Sequence, residues 1–170
     1  LLDDIGTVLV EETMTVTQQA PSLRNPVLSP AVTAAFGFVV FALAMISGDA
    51  FEVNMDSRLG HDHSLWEAAS DSAAELAIAL IGLAIAVWAG RRALAGPPSR
   101  VARTALVLAV IAVVTVPAFW SGWPNVFGAV AVGLALDSRQ RLGSLGATAG
   151  TALVLGSVAF IAGAVTCVLG

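Results

Sequence analysis

The chain contains no lysine and no tyrosine, a single cysteine, and few charges of either sign. Each shortage excludes something. One cysteine, Cys167, rules out an internal disulfide and any metal centre built from several thiolates. Charged residues make up 12% of the chain, against about 25% in ordinary soluble domains. The formal net charge of −4 offers no basic excess with which to hold a nucleic acid. The sequence also carries no P-loop, no G-x-G-x-x-G, no H-E-x-x-H, no G-x-S-x-G and no C-x-x-C. No internal repeat stands out, so an inverted-repeat transporter is not indicated. Eight arginines without a lysine, in a background rich in alanine, valine and glycine, suggest a GC-rich bacterial coding bias.

What is present is apolar: 57% of the 170 residues, with a mean hydropathy of +0.86. These residues come in blocks of bilayer length, separated by short polar segments. The expected fold is an all-α integral membrane protein, a bundle of about five transmembrane helices, with spans at about 31–48, 71–90, 101–119, 125–137 and 145–169. A helix rises 1.5 Å per residue, so about 20 residues cross about 30 Å of hydrocarbon. Pro30 suits the first turn of span one. Pro97 and Pro98 break the chain between spans two and three. Pro117 is expected to kink or finish span three. Trp120 and Trp123 suit the membrane interface. The fourth apolar run, Val126 to Leu136, is short, and is expected to be a short span or part of a re-entrant hairpin.

Residues 1–30 are expected to form a cytoplasmic segment. They have acids where a signal peptide needs basic residues. Met14 followed by a polar stretch suggests a natural start there, with residues 1–13 non-native. Arg24, Arg91, Arg92, Arg100, Arg103, Arg139 and Arg141 fall on one side of the five-span order, and only Arg58 on the other. The positive-inside rule then places this chain in a bacterial cytoplasmic membrane with its N-terminus inside and its C-terminus outside.

The acidic loop that this order puts outside, around "GHDHSLWEAASDSAAE" (60–75), holds the candidate site residues. Ser64 and Glu67 form a capping-box pattern, with Glu67 reaching back to the Ser64 backbone N–H. Glu67, Asp71 and Glu75 are spaced by four and lie along one helix face. Together with Asp49 from the end of span one, they are candidates for an ion or proton site. Glu75 is the pivotal member, because it lies about 6 Å below the expected membrane surface, where acids face a bundle interior or a wet cavity. His61 and His63 could add imidazole ligands for a divalent metal, although the spacing matches no zinc motif and a solvated polar turn is the preferred reading. No other cofactor is implied. Gly146, Gly150, Gly156 and Gly163 in span five are expected to serve helix packing; "GATAG" (146–150) is a G-x-x-x-G.

The expected function is that of a small, non-enzymatic accessory or assembly subunit in the membrane. Its partners would be the lipid bilayer and a homo-oligomer or larger complex, not a nucleic acid. The alternative is a small transporter or ion-binding protein using Glu75 and the outer acidic and histidine loop. Zinc titrated into the purified protein should bind weakly. Tight stoichiometric binding that disappears in the His61→Ala, His63→Ala double variant would establish the metal site instead.

Overall fold

A computed structural model of the chain describes residues 28–59 and 65–169, with side chains described for 28–48 and 73–169. His61, His63 and Ser64 lie outside the described residues. The side chains of Asp49, Glu67 and Asp71 lie outside the described set as well, although their backbones are helical. Among the described residues the fold is all-helical. α1 runs Pro30–Leu59, α2 Leu65–Leu94, α3 Pro98–Val114, α4 Trp123–Leu142 and α5 Ala147–Leu169, with a 3₁₀ segment, Val116–Ser121, between α3 and α4.

Local sequence accounts for most of these boundaries. α1 opens at Pro30, with the Ser29 hydroxyl accepting from the Val32 N–H at 3.3 Å, a side-chain cap on an otherwise unsatisfied donor. α3 starts at Pro98 behind an extended Pro97. Pro117 prevents α3 from continuing. Its chain tightens into the 3₁₀ segment, with Ala118 leaving helical geometry altogether (φ −101°, ψ 46°). Gly122 then takes a left-handed φ of 69°. A Cβ there would also sit 2.6 Å from the Phe41 ring, so both the backbone and the space demand glycine. Gly143 ends α4 with φ 70°, after Arg139 and Arg141 in the last turn, where cations favour the negative end of the helix dipole.

α4 is the centre. Every residue from Pro124 to Ser138 is buried except the half-buried Val132 and Leu136, and the helix packs against α1, α2, α3 and α5. The other helices form the perimeter and turn large apolar side chains outward: Phe36, Leu43 and Ile46 on α1, Ile81 and Trp88 on α2, Val107 and Val114 on α3, Val158 and Ile161 on α5. Pro30 abuts Gly90 and Gly48 abuts Cys167, so α1 lies antiparallel to α2 and parallel to α5.

Three segments are long and apolar enough to cross a membrane by length and composition: Pro30–Gly48, Ala73–Leu94 and Ala147–Leu169. The short fourth run expected over 125–137 is instead the middle of a helix of 20 residues, about 30 Å long. That helix, α4, is not among the three segments apolar enough to cross. A helix enclosed by four others needs small side chains rather than greasy ones.

That need is visible at each crossing. A Cβ built on Gly128 would meet the Gly156 carbonyl oxygen at 2.7 Å; on Gly37, the Asn125 carbonyl oxygen at 2.6 Å; on Gly163, the Asn125 Oδ1 at 2.6 Å and the Pro124 Cβ at 2.9 Å. Helices in lipid gain no hydrophobic energy by meeting each other, so close backbone approach supplies the attraction. Gly156 and Gly163 thus sit at the α4–α5 seam. Gly146 meets nothing within 4 Å and Gly150 meets only Leu145.

Gly128→Ala and Gly163→Ala should each destabilise the detergent-purified protein by about 1–3 kcal/mol through overpacking. Gly146→Ala should stay within about 0.5 kcal/mol. Thermal unfolding of the three variants side by side checks this, and equal behaviour would mean that the seam is looser than its geometry.

Candidate functional site

The polar groups of the described residues are arranged in three levels along the bundle. At the level reached by Gly48 and the end of α5, the half-buried Glu75 of α2 is within electrostatic reach of the Cys167 thiol of α5. Cys167 is buried, with its Sγ 3.6 Å from the Phe119 carbonyl oxygen of the 3₁₀ segment. The hydroxyls nearest this level are occupied on their own helices: Ser47 donates to the Leu43 carbonyl at 2.8 Å and Thr166 to the Ala162 carbonyl at 2.8 Å. Among the described residues, no group of three or more His, Cys, Asp or Glu side chains could hold a metal ion.

The second level lies where α4 begins. Trp120 is exposed, as an interfacial tryptophan should be, but Trp123 turns inward. Its indole lies against Gly82 of α2, where a Cβ would fall 2.7 Å from the ring, and its Nε1–H donates to the Ile78 carbonyl at 3.1 Å. Glycine at 82 opens the notch, and the carbonyl one turn earlier receives the proton. Asn125, fully buried, donates from Nδ2 to the Phe160 carbonyl of α5 at 3.1 Å. Its Oδ1 has no hydrogen-bond donor and rests against the bare face of Gly163. These two side chains tie α4 to α2 and to α5 from one end of the same helix. A transmembrane side-chain bond of this kind contributes about 0.6–1.7 kcal/mol.

The third level is the opposite end of α4. Asp137 is buried, with its Oδ2 2.6 Å from the Arg141 Nε one turn later. That oxygen makes no hydrogen bond of acceptable geometry. The contact is therefore an ion pair by distance, held by charge attraction rather than by an aimed N–H. Arg141 also reaches the Leu94 carbonyl at the end of α2, at 3.5 Å, a long and weak contact. Ser138 is buried with its hydroxyl unpartnered among the described residues. Beside this cluster an open groove of about 420 Å³ is lined by Leu28, Leu136, Arg139, Gln140 and Gly143.

Asn125, Asp137 and Ser138 were not singled out by the sequence patterns, and Arg139 was read only as one of the arginines that set orientation. A signal existed for one of them: Asp137 is the sole acid between residues 76 and 169, a stretch with six arginines. Asn125 sits in a turn-like "GWPN" (122–125) and gave no sign of burial. The chain matches no protein-family model, no curated protein and no solved structure.

Arg141→Ala strands a buried carboxylate and should cost about 2–3 kcal/mol. Adding Asp137→Asn should recover at least half of that loss, since a neutral amide is cheaper to bury unpaired. Denaturation midpoints of wild type, single and double variants measure it. A double variant no more stable than Arg141→Ala would show that the pair carries no burial penalty.

Proposed function

We propose that this chain is a non-enzymatic membrane subunit that acts by packing with other membrane proteins, and that all five helices of its described residues cross the bilayer. The observation that carries this reading is the burial of α4 from Pro124 to Ser138, with glycine-mediated contacts to its neighbours. A channel or carrier of this size would place its path along the bundle axis, and here a helix fills that axis. The five-span order follows from enclosure. α4 is enclosed by apolar neighbours, so its lower hydropathy does not bar it from the bilayer, and α3, a perimeter helix of 17 residues, is extended by the 3₁₀ segment that follows it. The arginine asymmetry then sets the N-terminus in the cytoplasm of a bacterium and the C-terminus outside.

A second reading rests on Glu75, a half-buried acid within electrostatic reach of Cys167 on α5. Intramembrane acids often serve ion or proton movement, and a shallow site at that end, completed by the outer loop, would suit a small ion-binding protein.

Two measurements test these proposals, the first the orientation and the second the choice between the two readings. Cysteine labelling from outside should reach a cysteine placed at 61 and miss one at 96, and the reverse pattern would overturn the orientation. Mild-detergent purification from the native membrane should yield a stoichiometric membrane partner. A lone species that moves ions in liposomes, and loses this in Glu75→Gln, would establish the second reading in place of the first.

A further inference from the structure

The residues from 76 to 169 hold six arginines and one acid, Asp137. All six arginines belong to the ends of helices and the connections between them: Arg91 and Arg92 close α2, Arg100 and Arg103 open α3, and Arg139 and Arg141 close α4. The Arg141–Leu94 and Pro30–Gly90 contacts bring the end of α4, the end of α2 and the start of α1 to the same end of the bundle. That end therefore carries a strong positive field.

The charges there are not equivalent. Arg141 is spent internally on Asp137. Arg92 lies over the exposed Trp88 ring, with its guanidinium carbon 5.7 Å from the centroid. An outward indole capped by an arginine is an interfacial anchor, and it marks this end as the headgroup level. Arg139 is exposed and makes no ion pair among the described residues, yet it lines the groove with Gln140, Gly143, Leu136 and Leu28. The groove volume of about 420 Å³ falls inside the range of about 300–1,000 Å³ that small-molecule ligands occupy. Its walls are of two kinds: two leucines, and a guanidinium beside a carboxamide. Gly143 leaves the backbone bare, with nothing within 4 Å of its Cβ position.

We propose that this groove is a binding site for an anionic phospholipid. The Arg139 guanidinium offers paired N–H donors to two phosphate oxygens. Gln140 offers both a donor and an acceptor to the headgroup hydroxyls. Leu28 and Leu136 receive the first carbons of an acyl chain, and the open face beside Gly143 admits the headgroup against the backbone. The surrounding arginines raise the local concentration of anionic lipid. The groove selects which lipid stays, because a zwitterionic headgroup brings its own cation toward Arg139 and is repelled. Basic pockets between helices at the headgroup level are suited to this recognition.

The test uses the full chain in detergent micelles, doped with phosphatidylglycerol or with phosphatidylcholine, and counts retained lipids by native mass spectrometry. Phosphatidylglycerol should be retained at least about fivefold more than phosphatidylcholine, which corresponds to about one arginine's contribution. Arg139→Ala should abolish that preference. Gln140→Trp, which fills the groove at constant charge, should also lower retention severalfold. Arg100→Ala, on the same basic end but outside the groove, should leave it within about twofold. The proposal is overturned by equal retention of the two lipids, by full retention in Arg139→Ala, or by equal losses in Arg139→Ala and Arg100→Ala. The last result would mean that a diffuse field, not a groove, holds the lipid.

Discussion

Close contact between backbones around α4 is the constraint on which the structure depends. In water, helices associate because doing so hides apolar surface. In a bilayer that gain vanishes, since lipid tails are as apolar as leucine. Attraction must come from many short contacts, and glycine permits the shortest. Gly128 against Gly156, Gly37 against the Asn125 carbonyl and Gly163 against the Asn125 side chain place three helices at near-minimum separation. A single methyl group would have to displace backbone at Gly128 and Gly37, and the Asn125 and Pro124 side chains at Gly163.

Enclosure of α4 explains its unusual composition. It begins with a tryptophan that reaches into α2 and an asparagine that reaches into α5. It ends with a buried aspartate and serine. Such residues would be costly against lipid. Here each polar end is surrounded by protein, and the interhelical bonds fix the register of the bundle as well as its stability. The two ends differ in kind. One is stitched by neutral hydrogen bonds to backbone carbonyls. The other is electrostatic, with Asp137 compensating one of six nearby arginines and leaving the rest to face the headgroup region.

Much of this was legible in the residues. Blocks of uncharged apolar sequence are readable because a membrane span must be long, and Pro30, Pro98, Gly122 and Gly143 mark their ends because backbone sterics allow few alternatives. Depth counting along the sequence expects Glu75 to point inward; the residue is half-buried and within electrostatic reach of Cys167 on α5. Trp123 was read as interfacial like Trp120, since nothing local distinguishes two tryptophans three residues apart. Gly82, the residue that makes Trp123 an inward one, lies on another helix. All four glycines of span five were expected to serve helix packing, and the close approaches fall at Gly156 and Gly163, not at the G-x-x-x-G pair Gly146 and Gly150.

Sequence alone determined that the chain is helical and rich in membrane-compatible segments, and where most of those segments begin and end. These are properties of local backbone chemistry and of apolar run length, and they need no knowledge of neighbours. Only the tertiary structure decided which helix stands at the centre. Hydropathy measures suitability for lipid, so it undervalues a helix enclosed over most of its length by its neighbours. It also decided that Asn125, Asp137 and Arg139 matter, because the significance of a polar side chain depends on which other helix it meets.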